Sequence, residues 1–274
     1  MIKKGIAVVQ QVIHYYNKKQ IPVASAALCY YLTMSVFPMI ICLYTLLGYN
    51  YDLALRILGF VENFMSADTV DIIRGFLTYV EQNHSTAMFY AGIMLLLTSA
   101  SAAVRCINIT IGRMQGEKRY GGVMGYLLSM ILAVAFLAVI WFAIVVMLTS
   151  KDLMLLLNEK LPFVDISGTW QWIKYLLLGG ILFLTLWGMY RIDRRKNTPY
   201  LTWPGALIAT LGMLGMSLIF SVFIAASAKY SLVYGSLASM ILLMLWLFFS
   251  CQVIFVGAAF NISLWDLSGQ ESES

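Results

Sequence analysis

From Tyr120 to Ser150 the chain reads YGGVMGYLLSMILAVAFLAVIWFAIVVMLTS, with no Asp, Glu, Lys or Arg anywhere in it. A helix needs roughly 20 predominantly apolar residues to cross a bilayer, and this run exceeds that without help. Charge-free runs recur on both sides of it: 20–51, 82–104, 175–190, 197–228 and 230–265. Only 175–190 is short, and the aromatic stretch Trp170 to Lys174 extends it, with a lysine that can snorkel. The chain is 61% hydrophobic and 11% charged, with a mean hydropathy of +0.82. Soluble domains carry about 25% charged residues, so a water-soluble globule is excluded. The pattern predicts an all-α polytopic membrane protein with six transmembrane helices.

The ends of the runs sort by charge. Lys3, Lys4, Lys18 and Lys19 precede the first, Arg113, Lys118 and Arg119 follow the second, and Arg191, Arg194, Arg195 and Lys196 follow the fourth. The alternate connections are poorer in bases and richer in acids: Arg56 and Arg74 face Asp52, Glu62, Asp68, Asp71 and Glu81, and Lys151 and Lys160 accompany Asp152, Glu159 and Asp165. Basic short loops stay on the cytoplasmic side, so both termini are expected inside. Trp170, Trp172, Trp187, Tyr190, Trp203 and Trp265 fall near the predicted surfaces, where aromatic belts form. Trp141 and Trp246 fall near mid-membrane and read as packing residues.

At the N-terminus, MIKKGIAVVQQVIHYYNKK lacks the continuous apolar core of a cleavable signal. Ile2, Ile6, Val9, Ile13 and Tyr16 recur at helical spacing instead, predicting an amphipathic helix in the membrane interface. In the first outer connection, Ala54, Leu58, Val61 and Met65, then Val70, Ile73, Leu77 and Val80, repeat the spacing. They predict a helical hairpin over the outer face, with Ser66 or Asp68 as a cap, and a shorter helix follows in KDLMLLLNEKLPFVD. The expected organisation is a single membrane domain, 1–274, with an interfacial helix over 1–20 and the hairpin over 51–85. Its spans cover about 23–49, 87–112, 121–149, 170–190, 202–226 and 236–262.

Apart from Lys174 near the edge of the fourth span, one charge falls inside a span. In TSASAAVRCINITIGR, Thr98 to Arg113, Arg105 shares a helical stripe with Thr98, Ser101, Asn108 and Gly112. Val104, Ile107 and Ile111 occupy another face, suited to lipid. Arg105 lies about 12 Å above Arg113 along the helix. No Asp or Glu lies in any predicted span, so a carboxylate proton relay has no members. Either Arg105 snorkels inward or braces neighbouring carbonyls, or it lines an inward-open cavity and holds an anion. Candidate neighbours for the second case are Ser101 and Asn108, with Tyr30, Tyr31 and Ser35 of the first span and Gln252 and Asn261 of the sixth. Pro38 is expected to kink or break the first span near Met34. Ser217, Ser221 and Ala225 form a small-residue ridge expected to pack closely on another helix. Cys29, Cys42, Cys106 and Cys251 lack metal or redox spacing, and no metal or other cofactor is expected.

ALCYYLTMSVFPMI at 27–40 resembles the A-L-A-Y-Y…S-L-F-P signature of the YihY/virulence factor BrkB family. The C-terminal half of that family is similar to YRIDRRKNTPYLTWPGALIAT at 190–210 and YSLVYGSLASMILLMLWLFFSCQVIFVGAAFN at 230–261. A departure is Phe260, where an acidic residue often precedes the terminal asparagine. The resemblance implies a six-span bacterial inner-membrane protein. Members once carried the label ribonuclease BN, and some are linked to serum resistance and to export of lipid or lipopolysaccharide precursors. Metal-dependent nuclease chemistry needs clustered acids or histidines, whereas His14 and His84 fall on opposite predicted sides. No enzymatic activity and no nucleic-acid partner are therefore expected. Membrane lipids are the expected partners, an anionic lipid or solute the expected substrate, and the oligomeric state is open. The leading expectation is a transporter or flippase-like factor with a cavity between the first, second and sixth spans. Its alternative is a non-transporting scaffold for envelope assembly, whose outer hairpin binds partners.

Overall fold

In hydrocarbon every backbone N–H and C=O must be paired within the segment, so long apolar runs become helices. The computed structural model of the chain describes residues 2–49, 74–75, 77–79, 81–82, 85–116, 123–148, 170–192, 201–226 and 236–272. Among them all regular structure is helical: α1 (Ile2–Lys18), α2 (Ile21–Tyr49), α3 (Thr86–Met114), α4 (Val123–Leu148), α5 (Trp170–Ile192), α6 (Trp203–Ala226) and α7 (Ser236–Ser272). Four of these, α2, α3, α6 and α7, hold described stretches long and apolar enough to cross a membrane. In α4 and α5 the apolar stretches Gly125–Val139 and Leu176–Ile192 are shorter. The chain is a polytopic, all-helical membrane protein. The predicted outer hairpin, apart from fragments at 74–82, and the helix after Lys151 lie outside the described residues.

The helices run up and down, with α3 packed on α2, α4 and α7, and α7 packed on α1, α2 and α6. The core gathers at one end of the bundle: Ile21, Leu28 and Cys29 of α2 meet Ile107 and Ile111 of α3 and Cys251, Phe255 and Ala259 of α7. At that same end lie α1, the start of α2, the end of α3 and the end of α5, and with them Lys18, Lys19, Arg113 and Arg191.

Three expectations change here. Val104, Ile107 and Ile111 are 8%, 7% and 2% exposed, so the face suited to lipid is instead packed. Apolar side chains suit lipid and protein equally, and α3 has helices on several sides. The second concerns only the break allowed for at Pro38: α2 continues through the proline as one helix. Nearby Thr33 and Ser35 turn their hydroxyls back onto the carbonyls of Cys29 and Leu32, at 2.8 and 2.6 Å. The third concerns close packing. Ser217 and Ser221 are exposed, and the tight contact with α7 runs through Gly205, Ala209 and Gly212 instead. A methyl group on Gly257 would stand 2.6 Å from the Gly205 carbonyl oxygen and 2.8 Å from the Ala209 Cβ.

Polar groups lock this crossing. Asn261, 1% exposed on α7, accepts from the Gly205 N–H at 2.7 Å and donates to the Thr202 carbonyl at 2.9 Å. Gly205 is the third residue of α6, so its N–H has no partner within the helix. Asn261 supplies from another helix what a capping residue supplies locally. Beside it the Tyr190 hydroxyl donates to the Ile254 carbonyl at 2.6 Å.

The two faces of α1 have separate destinations. Val8 is buried, and Gln11 and Tyr15 on the same face donate to Asp266 of α7, at 3.4 and 2.6 Å. On the opposite face Ile6, Val9 and Ile13 are each more than half exposed, as a helix lying at a lipid surface requires. Asp266 can take part because α7, with 37 residues, is about 55 Å long, well beyond the hydrocarbon thickness. Burial, then the hydrogen bond to Asp266 and its charge, push the Tyr15 phenol above its ordinary range. The phenol thus stays a donor.

Candidate functional site

The turn joining α1 to α2 is tight because Gln20 adopts a left-handed conformation, φ 53°. That turn aims Lys19 at the C-terminus of α3, where its ammonium donates to the Arg113 carbonyl at 2.7 Å. A cation at a helix C-terminus meets the negative end of the dipole and carbonyls without partners. Between this turn, α2 and α3 lies a cavity of about 240 Å³. Its α3 floor is Ala102, Arg105, Cys106, Ile109, Thr110 and Arg113. Its other wall is Lys19, Gln20, Val23, Ala24, Ala27 and Tyr31.

Three cations, Lys19, Arg105 and Arg113, border this space, and among the described residues that line it none is acidic. Arg105 is held over the Tyr126 ring of α4, 5.5 Å from the ring centre. A ring face attracts the guanidinium without using its N–H donors, so the fork that matches an oxyanion is left available. Two further donors in the wall, the Thr110 hydroxyl and the Cys106 thiol, are turned onto backbone carbonyls. Thr110 donates to the Cys106 carbonyl at 2.7 Å, and the Cys106 thiol lies 3.7 Å from the Ala24 carbonyl.

Of the expected site residues, Arg105 and Tyr31 line the cavity. The others have different places. Ser101 is buried and donates to the Thr98 carbonyl at 2.9 Å, and Asn108 is buried in the helix packing. Tyr30 is 54% exposed on the outer face of α2, edge-on to Tyr31. Ser35 bonds within its own helix. Gln252 accepts from the Tyr16 hydroxyl at 2.7 Å, and Asn261 caps α6. No α7 residue lines the cavity, so it lies between α2 and α3 and not against the sixth span. Lys19, Gln20 and Arg113 were missed as wall residues because their charges and position already explained membrane orientation. The usable signal was the eight-residue separation of Arg105 and Arg113, which brings them to neighbouring faces two turns apart. Among the described residues no three His, Cys, Asp or Glu come together as a metal site.

An all-helical, multi-pass bundle with a cationic cavity at one end defines a class of integral membrane proteins. The match to the virulence factor BrkB family runs over residues 12–273, and the chain belongs to that family. It is 26% identical over 243 residues to the ribonuclease-like protein YfkH of Bacillus subtilis (strain 168), covering 88% of each chain. It is also 36% identical over 109 residues to a UPF0761 membrane protein of Tolumonas auensis, covering 37% of this chain and 33% of that protein. No solved structure matches the chain.

Proposed function

We propose that this BrkB-family protein is a plasma-membrane transporter or flippase-like factor, not an enzyme, that takes anionic lipids or anionic envelope precursors through the Arg105 cavity. The observation that carries the proposal is the trio Lys19, Arg105 and Arg113 around one space without a lining carboxylate. Unopposed cations around one space repel one another, and a bound anion relieves that repulsion. The test is reconstitution into liposomes with lipid-scrambling and anion-flux assays. Arg105→Leu is expected to cut flux at least about tenfold while the protein stays folded, since leucine suits a membrane helix. Arg105→Lys is expected to retain part of it, because a point charge still attracts phosphate. A well-folded wild type inert in both assays would favour the scaffold alternative.

The cavity end is proposed to face the cytoplasm, on the support of the basic residues gathered there. A cysteine introduced at Ser85, exposed before α3, should then react with an impermeant thiol reagent added to intact cells. One at Ile192, 42% exposed at the end of α5, should react only after permeabilisation. Labelling of the Ile192 site in intact cells would reverse the orientation.

A further inference from the structure

Resting on the anion-cavity reading above, we infer that the ligand is a lipid with a small phosphate head, entering sideways from the bilayer. The charge pattern selects an anion, and the donor pattern selects an oxyanion. Among the described residues, the Arg105 side chain is engaged by a ring face alone, and that of Arg113 donates no hydrogen bond to protein. Two arginine forks with a lysine beside them match phosphate oxygens. Because Lys19 already donates to the Arg113 carbonyl, it has two further N–H donors to offer.

The rim shows where the rest of the molecule goes. Val23, which lines the cavity, is 64% exposed. It begins an outward apolar stripe on α2 that continues through Tyr30, Met34 and Phe37, all at least 43% exposed. On the other flank Tyr126, above Arg105, begins a like stripe on α4 with Leu127, Ile131 and Val134. Both stripes are lipid-facing surfaces in a spanning bundle. A head group among the cations would therefore leave acyl chains lying along protein already exposed to lipid. A soluble anion would need no such rim. The space has room for such a head: 240 Å³ is about eight water volumes, ample for a phosphate group. A phosphomonoester, with its second negative charge, fits the three cations better than a diester.

The test uses the full chain in detergent micelles and follows tryptophan fluorescence. The probes are dioctanoyl phosphatidic acid, inorganic phosphate, dioctanoyl phosphatidylcholine and dioctanoylglycerol. Phosphatidic acid should bind at least about tenfold more tightly than inorganic phosphate, given the transfer free energy of buried methylenes. The choline lipid and the diacylglycerol should bind far more weakly. Arg113→Gln should weaken phosphatidic acid and phosphate together. Val23→Trp, which fills the rim at an exposed position, should weaken the lipid and spare phosphate. If phosphate binds as tightly as phosphatidic acid, or Val23→Trp weakens both equally, sideways lipid entry is wrong and the anion cavity stands. Equal binding of phosphatidylcholine and phosphatidic acid overturns the selection for an anionic head. If folded protein binds neither phosphate nor phosphatidic acid, the anion-cavity reading falls as well.

Discussion

Gly257→Ala should destabilise the folded bundle by about 3 kcal/mol, at the upper end of the range for overpacking a tight core. The added methyl would stand 2.6 Å from the Gly205 carbonyl, 2.8 Å from the Ala209 Cβ and 2.9 Å from the Tyr190 hydroxyl. Two of those neighbours cannot swing aside, since one is backbone and the other is fixed to it, so α6 and α7 must separate. Separation also stretches the Asn261 and Tyr190 hydrogen bonds that cross the same place. The check is denaturant unfolding in mixed micelles, with Gly215→Ala as the comparison. A Cβ at Gly215, also on α6, would meet nothing within 4 Å. That variant should gain up to about 1 kcal/mol, because alanine favours a helix over glycine. Equal effects of the two substitutions would show that the α6–α7 contact is looser than described.

Asn261→Leu should cost about 2–4 kcal/mol. It strands the buried Gly205 N–H and leaves the Thr202 carbonyl only the Ala206 N–H, 3.4 Å away, and a buried polar group left unpaired costs about 1–3 kcal/mol. The leucine branches would also press on Gly205, which the Asn261 amide already approaches so closely that a methyl there would lie 2.5 Å from its nitrogen. The loss should appear in unfolding experiments and as faster hydrogen exchange at the first turn of α6. Because Gly257 and Asn261 act on one crossing, the double variant should lose less than the two single losses added together. Full additivity would mean that the residues stabilise the bundle independently.

In the stretch GAAFN at 257–261 the structure gives the glycine and the asparagine one joint role. Glycine allows the backbones to touch, and asparagine bridges them one turn further on. That role needs no ligand and no charge, so the departure at Phe260 does not disturb it.

The all-helical, polytopic membrane class was legible in the sequence because it depends on a solvent preference summed over many residues. Charge-free runs of twenty or more have one stable home, and a helix is the conformation that pairs their backbone there. The two-faced character of α1 was also legible, since Ile6, Val9 and Ile13 carry it by spacing alone. Arg105 and Tyr31 could be picked out, the first as a charge on a polar stripe within a span. Partner choice was a different matter. In lipid an apolar face does not distinguish a neighbouring helix from acyl chains, so Val104, Ile107 and Ile111 could not be assigned to either. Hydroxyls were equally ambiguous, because Ser35 and Ser101 satisfy themselves on their own helix. Only the tertiary structure brought Lys19 across to the end of α3 and set Tyr126 over Arg105. It also sent Asn261 to α6 and not to the cavity, because these contacts depend on helix rotation and crossing. Those are set by how packed surfaces meet, as Gly205 and Gly257 do where α6 crosses α7, and not by any one segment.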